Sequence, residues 1–340
     1  MLMILPTGPL MIDIAGYELT DLERERLAHP LVGGVILFSR NYQSPAQLAA
    51  LTAEIHSLCF PPLLIATDHE GGRVQRCREG FTRLPPMRRL GEWWDSDAAA
   101  ALEAARSIGY VLAAELRSCG VDLSFTPVLD LDWGRSSVIG DRAFHADPQA
   151  VIALAGALIT GMRQAGMAAC GKHFPGHGWA EADSHHQLPV DTRTLAELAP
   201  DIEPYRQLPL DAVMPAHVVY TSFDKNTSCF SSKWNDLLRN EINFSGVVFS
   251  DDLSMQAAGV VGDVVARVEA AWQAGCDMLL ICNAPDDVGE VLARWKPEVD
   301  LVRMRRIARL LPDGSCLPDF RQTPCYLAGV EAAEMLNTPC

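Results

Sequence analysis

Short, continuous apolar runs recur along the chain, each followed at once by a polar cluster. They fall at residues 10–14, 33–38, 63–67, 123–129, 168–174, 212–218, 247–250 and 278–282. Runs of this length, rich in β-branched residues and without alternation, predict strands buried on both faces. The segments between them carry helical spacing at 45–59, 97–119, 148–164, 194–207, 232–240 and 261–275. Two of those helices open with Ser44-Pro45 and Asp147-Pro148, and Gly120, Gly166 and Gly275 stand just past three helix ends.

Strands alternating with helices imply parallel pairing through crossover helices, in a closed (β/α)₈ barrel or an open doubly wound sheet. The polar residues decide between them. Asp13, Asp68, Glu70, Asp130, Asp132, Lys172, His173, His217, Asp251 and Asp252 all follow the carboxyl ends of predicted strands. A barrel gathers those ends on one face, where such enzymes place their active sites. The expectation is a single-domain α/β (β/α)₈ TIM-type barrel over residues 1–311, with 312–340 as a carboxyl-terminal extension of the same domain.

Composition narrows the function. The 340 residues are 49% hydrophobic and 21% charged, with a formal net charge of −15. That balance argues against a nucleic-acid partner, which calls for clustered Lys and Arg, and favours a small-molecule substrate. Ten cysteines lie scattered without a C-x-x-C pair, as expected of reduced, buried thiols. The apolar amino terminus lacks a basic leader, and the apolar run near 150–162 is too short for a membrane span, so the expected location is the cytoplasm, with no membrane partner.

Four of the nine histidines crowd into GKHFPGHGWAEADSHHQLPVD, Gly171 to Asp191. Gly166 to Lys172 mimics a phosphate loop, but His173 stands where a magnesium-binding Ser or Thr belongs. A metal site is a stronger rival, with His173, His177, Asp183, His185 and His186 as candidate ligands. Pro175 and Gly176 prevent His173 and His177 from sharing a helical face, so any metal would need ligands converging from a loop. The remaining reading is acid–base catalysis: Asp183 and His185, two residues apart, project to one side of an extended loop, and a carboxylate on one imidazole nitrogen fixes the tautomer of the other. A strand-ending Asp251 would then serve as covalent nucleophile, while Asp252 is expected to cap the following helix.

ATDHEGGRVQR, VIGDRAF, GKHFPGHG with its following ADSH, MPAHV and VVFSDDLSM occur in this order between about Gly8 and Asn283. Together they resemble the bacterial β-N-acetylglucosaminidases of glycoside hydrolase family 3 that act in cell-wall recycling. The resemblance implies a retaining exo-hydrolase that removes non-reducing terminal N-acetylglucosamine from peptidoglycan fragments, without metal or cofactor. It implies Asp251 as nucleophile, His185 as acid/base and Asp183 as its orienting partner. Asp68, Arg76, Arg142, Lys172 and His173 are implied sugar-binding residues, and His217 and Glu70 supports behind them. The implied ligand is a muropeptide or amino-sugar, and the expected assembly a monomer. His69, where the family pattern leads one to expect Gln, and His186, directly after His185, depart from it. A metal-dependent barrel hydrolase using the histidine loop and a phosphorolytic N-acetylglucosaminidase are the rival readings.

Overall fold

The computed structural model describes residues 8–181, 188–312 and 319–338. Eight parallel strands form one curled sheet: β1 (Leu10–Asp13), β2 (Val32–Leu37), β3 (Leu64–Thr67), β4 (Leu123–Ser124), β5 (Ala168–Phe174), β6 (Ala212–Pro215), β7 (Val247–Val248) and β8 (Leu279–Ile281). Their order across the sheet is β7-β6-β5-β4-β3-β2-β1-β8, so each strand lies beside its sequence neighbour except where β1 meets β8. A parallel bridge joins Phe249, just past β7, to Met278, just before β8, and the Ser250 N–H donates to the Met278 carbonyl at 2.7 Å.

Around the sheet run α1 (Asp21–Leu27), α2 (Pro45–Ser57), α3 (Arg88–Ser96), α4 (Ala98–Ser118), α5 (Pro148–Gln164), α6 (Leu195–Gln207), α7 (Ser232–Asp236), α8 (Val264–Ala274), α9 (Pro285–Arg294), α10 (Leu301–Ala308) and α11 (Pro324–Asn337). The start signals work as the sequence implies: Ser44 Oγ accepts the Gln47 N–H and Asp147 Oδ1 accepts the Gln149 N–H. Each such cap is worth about 1 kcal/mol. Gly120, Gly166 and Gly275 take positive φ at helix ends, where a Cβ would be strained.

Alternation along each strand splits the apolar residues into two cores. Met11, Ile36, Leu64, Phe125, Met214, Phe249 and Leu280 pack together inside the curl of the sheet. Leu10, Ile12, Val35, Leu37 and Ile65, one residue out of phase, pack outward against the helices. A sheet buried on both faces accounts for strands that read as unbroken apolar runs.

β5 spans the residues its sequence predicts, but the run at 123–129 keeps only two residues in β4. Pro127 has no N–H to donate, and the chain meets β5 again where the Thr126 carbonyl accepts the Cys170 N–H at 2.9 Å and at a Val128–Lys172 bridge. The carboxyl-terminal segment carries a built helix: α11 lies on α4 so closely that a Cβ on Gly329 would come within 2.4 Å of the Ser107 carbonyl oxygen. Tyr326 Oη donates to the buried Glu115 at 2.7 Å. Among the described residues all eight cysteines are free thiols, six of them buried, and no helix is long and apolar enough to cross a membrane.

Candidate active site

Asp68 follows β3 directly, and Glu70 lies in the short strand His69–Gly71 that pairs antiparallel with Val74–Gln75. From β5, Lys172 reaches both carboxylates, with Nζ 2.7 Å from Asp68 Oδ1 and 2.6 Å from Glu70 Oε1. Arg142, in the short helical turn Gly140–Arg142, grips the same Glu70 with Nε and Nη2, each at 2.8 Å. Arg76 stands 3.4 Å from Asp68 Oδ2. The three cations of this cluster thus share two carboxylates, while Asp13 pairs with Arg40 and Asp132 with Arg88.

The cluster's electrostatics follow from its density. Burial by itself would raise the Glu70 carboxyl, but Arg142 and Lys172 outweigh it and hold the group far below the ordinary carboxylate range. Asp68 is likewise lowered, with burial opposed by Lys172 and Arg76. Burial pulls Lys172 down, and Asp68 and Glu70 more than restore it. Asp68, Glu70 and Lys172 therefore stay charged near neutral pH.

A second node forms around Asp130. Its Oδ2 meets His173 Nδ1 at 2.7 Å, and its Oδ1 accepts the His177 backbone N–H at 2.7 Å. Burial would raise Asp130, but the histidines hold it down. His173 thereby presents Nε2 as its remaining ring nitrogen. The Lys172–His173 and Phe174–Pro175 peptide bonds are cis.

Asp251 and Asp252 follow β7. Asp252 does not cap a helix, contrary to the sequence expectation; Asp263 does so for α8. Asp252 Oδ1 instead accepts from the Ser254 N–H at 2.9 Å and the Cys282 N–H at 3.1 Å, tying the end of β7 to the end of β8. Burial pushes its pKa up to about 6 despite those bonds. Asp251 borders a cavity of about 470 Å³. Asp68, Arg76, Arg142, Lys172 and His173 border the same cavity, with Phe38, Phe125, Met214 and Leu280 as apolar wall. Such a space, polar on one side and apolar on the other, suits a single pyranose ring.

Asp183 and His185, with His186, lie outside the described residues. The chain on either side of them is held by a buried cluster. Arg193 pairs with Asp191 and Asp201 at 2.7 Å each, and its guanidinium lies 4.8 Å over Trp179 and 5.1 Å over Trp133. Trp133 Nε1 donates to Asp201 at 2.9 Å. The sequence reading missed Arg193, whose partners become neighbours only in the fold. Among the described residues no group of three His, Cys, Asp or Glu is arranged to hold a metal. His69 is fully buried away from the cavity, its ring beside Phe81, and burial followed by Arg76 and Arg78 pushes its pKa down to about 3.

Residues 10–310 match the glycosyl hydrolase family 3 N-terminal domain. A β-hexosaminidase of Bordetella avium (strain 197N) is 58% identical over 323 residues, spanning 92% of this chain and 92% of that protein. One from Chromobacterium violaceum is 54% identical over 345 residues, 99% of this chain and 96% of its own length. NagZ from Neisseria gonorrhoeae, solved in complex with N-trifluoroacetyl-D-glucosamine, superposes with a TM-score of 0.94 at 48% identity, covering 98% of this chain and 99% of that one. The same enzyme solved with a zinc ion gives 0.91 at 47% identity, with the same coverage. The curled parallel α/β sheet with a polar cavity beside its strand ends, taken with these relatives, marks a glycoside hydrolase. The chain belongs to glycoside hydrolase family 3, and its activity class is that of the β-N-acetylhexosaminidases.

Proposed function

We propose that the protein is a retaining exo-β-N-acetylglucosaminidase that removes non-reducing terminal N-acetylglucosamine from peptidoglycan fragments, such as the disaccharide with 1,6-anhydro-N-acetylmuramic acid and its peptides. The observation that carries this reading is the position of Asp251 on the same cavity as the Asp68–Lys172–Glu70–Arg142 cluster. The binding of an N-acylated glucosamine by the Neisseria enzyme supports it. In this reading the sheet closes as a single-domain (β/α)₈ barrel, and the protein works as a cytoplasmic monomer in cell-wall recycling.

Asp68, Arg76, Arg142, Lys172 and His173 would take the sugar's hydroxyls, whose fan of donors and acceptors matches fixed carboxylates and cationic donors. Binding energy from those contacts orients the anomeric carbon toward Asp251. Asp251 attacks that carbon while His185, oriented by Asp183, protonates the departing glycosidic oxygen. A covalent glycosyl-enzyme results. The now neutral His185 then takes a proton from water, whose oxygen displaces Asp251 with net retention. An imidazole base, unlike a second carboxylate, adds no negative charge next to the nucleophile.

The zinc complex of the Neisseria enzyme favours one second reading, hydrolysis that depends on a metal held by the histidine loop. Chromophore release from an aryl N-acetyl-β-glucosaminide, before and after exhaustive chelation, separates the two. Undiminished release supports the metal-free glycosidase. Loss on chelation, restored by zinc, supports the metal-dependent hydrolase.

A further inference from the structure

His177 is 3% exposed and borders the cavity, yet among the described residues neither of its ring nitrogens has a hydrogen-bond partner. A buried polar ring without partners carries the full cost of its lost hydration. The surrounding chain makes this placement deliberate. The His177 backbone N–H is anchored on Asp130, and its ring stands edge-on to His173 with centroids 6.1 Å apart. Its neighbours leave no slack: a Cβ on Gly178 would lie 1.9 Å from the Leu131 carbonyl oxygen, and Gly176 takes φ +151° against Asp201. Burial, followed by His173, lowers the His177 pKa, so the ring is neutral, with one N–H donor and one bare nitrogen.

We infer that His177 is a further sugar-binding residue, whose imidazole hydrogen-bonds an uncharged polar group, a hydroxyl or the amide, of the pyranoside held beside Asp251. Asp130 thus sets two histidines by different means: it takes the ring of His173 and only the backbone of His177, leaving the second imidazole for ligand. A neutral ring suits this place because the cavity already holds charged groups of both signs, and a hydroxyl satisfies either nitrogen without adding charge. The inference rests on the proposed glycosidase function. His69 provides an internal contrast, since among the described residues its ring is equally buried and partnerless but borders no part of the cavity.

The test compares His177→Phe, His177→Gln and His69→Phe in the full chain, reading N-acetylglucosamine affinity by calorimetry, kcat/KM on the aryl glycoside, and Tm. Phe keeps an aromatic ring while removing both polar nitrogens. The expected result for His177→Phe is a loss of about 10–100-fold in affinity and in kcat/KM with an equal or higher Tm, because a site built to bond a hydroxyl then has no partner to offer it. His177→Gln recovers part of the loss, and His69→Phe raises Tm without changing affinity. Affinity and kcat/KM within about twofold of wild type for His177→Phe would overturn the inference. So would a fall in Tm shared by His177→Phe and His177→Gln with unaltered affinity, which marks a packing role. No chromophore release by the unaltered chain would instead sink the glycosidase reading, while the calorimetry still reports on His177.

Discussion

Arg142 holds Glu70 through two parallel hydrogen bonds of 2.8 Å, from Nε to Oε2 and from Nη2 to Oε1. That fork-on-fork pair is buried at its carboxylate end and shares Glu70 Oε1 with Lys172. Its geometry fixes one wall of the cavity. Glu70→Gln keeps the shape but leaves two buried cations short of a counter-charge, and is expected to lower stability by about 3–5 kcal/mol in urea unfolding. A change below about 1 kcal/mol would show that the cluster is less desolvated than its geometry implies.

The same cluster sets an acid limit. Glu70 and Asp68 have folded pKa values below those of the unfolded chain. Their stabilisation is complete above the unfolded value of about 4.3 or 3.9 and is lost as pH falls through that range toward the folded values. Asp252 has the opposite sign: with a folded pKa near 6, it binds more protons when folded, so its contribution to stability declines as pH rises from about 4 to 6. Asp252→Asn should remove that decline while keeping an oxygen for Ser254 and Cys282. Unfolding free energies across pH 4 to 7 check it, and an unchanged slope would count against the assignment.

Much of the site is legible in the sequence because its motifs are local. DHEGG puts a polar residue just after β3, GKHF puts two in the last residues of β5, and GDRAF sits in the loop that follows β4; strand ends on one side of a parallel sheet converge. Glu70 as the partner of Arg142 is not legible, because 72 residues separate them and only the fold shows which carboxylate the guanidinium meets. Asp252 looked like a cap because Asp precedes a helical segment; its oxygens instead face the Ser254 and Cys282 amides, and α8 begins only at Val264. The helices α1, α3, α9, α10 and α11 escaped prediction because their sequences are charged or rich in small residues, and packing on α4, not an apolar stripe, settles α11. His177 was conspicuous in GKHFPGHG, but the sequence offered it only as a metal ligand; its lack of partners emerges from burial.

Arg193 should matter to both stability and turnover. Arg193→Met leaves Asp191 and Asp201 buried without their cation, and a cost of about 3–5 kcal/mol is expected in urea unfolding. Because Asp191 and Trp179 flank the segment bearing Asp183 and His185, kcat/KM should fall more for a poor leaving group than for a dinitrophenyl glycoside, which needs little protonation. An equal fall for both substrates would confine Arg193 to stability.

The two carboxyl-side outcomes of the glycosyl-enzyme are also separable. Release of free N-acetylglucosamine at the same rate with and without phosphate is the hydrolytic result; accumulation of the sugar 1-phosphate would favour phosphorolysis. His185→Ala should slow poor leaving groups by about 10²-fold or more, with added azide restoring turnover of activated ones.

The central claim is that Asp251 forms the covalent bond to the sugar. A 5-fluoro N-acetylglucosaminyl fluoride slows breakdown of such an intermediate enough for peptide mass spectrometry. The account predicts one added glycosyl mass, on the peptide containing Asp251 and absent from Asp251→Ala, whose kcat falls by about 10³-fold or more. An adduct on a different residue, or full turnover by Asp251→Ala, would contradict it.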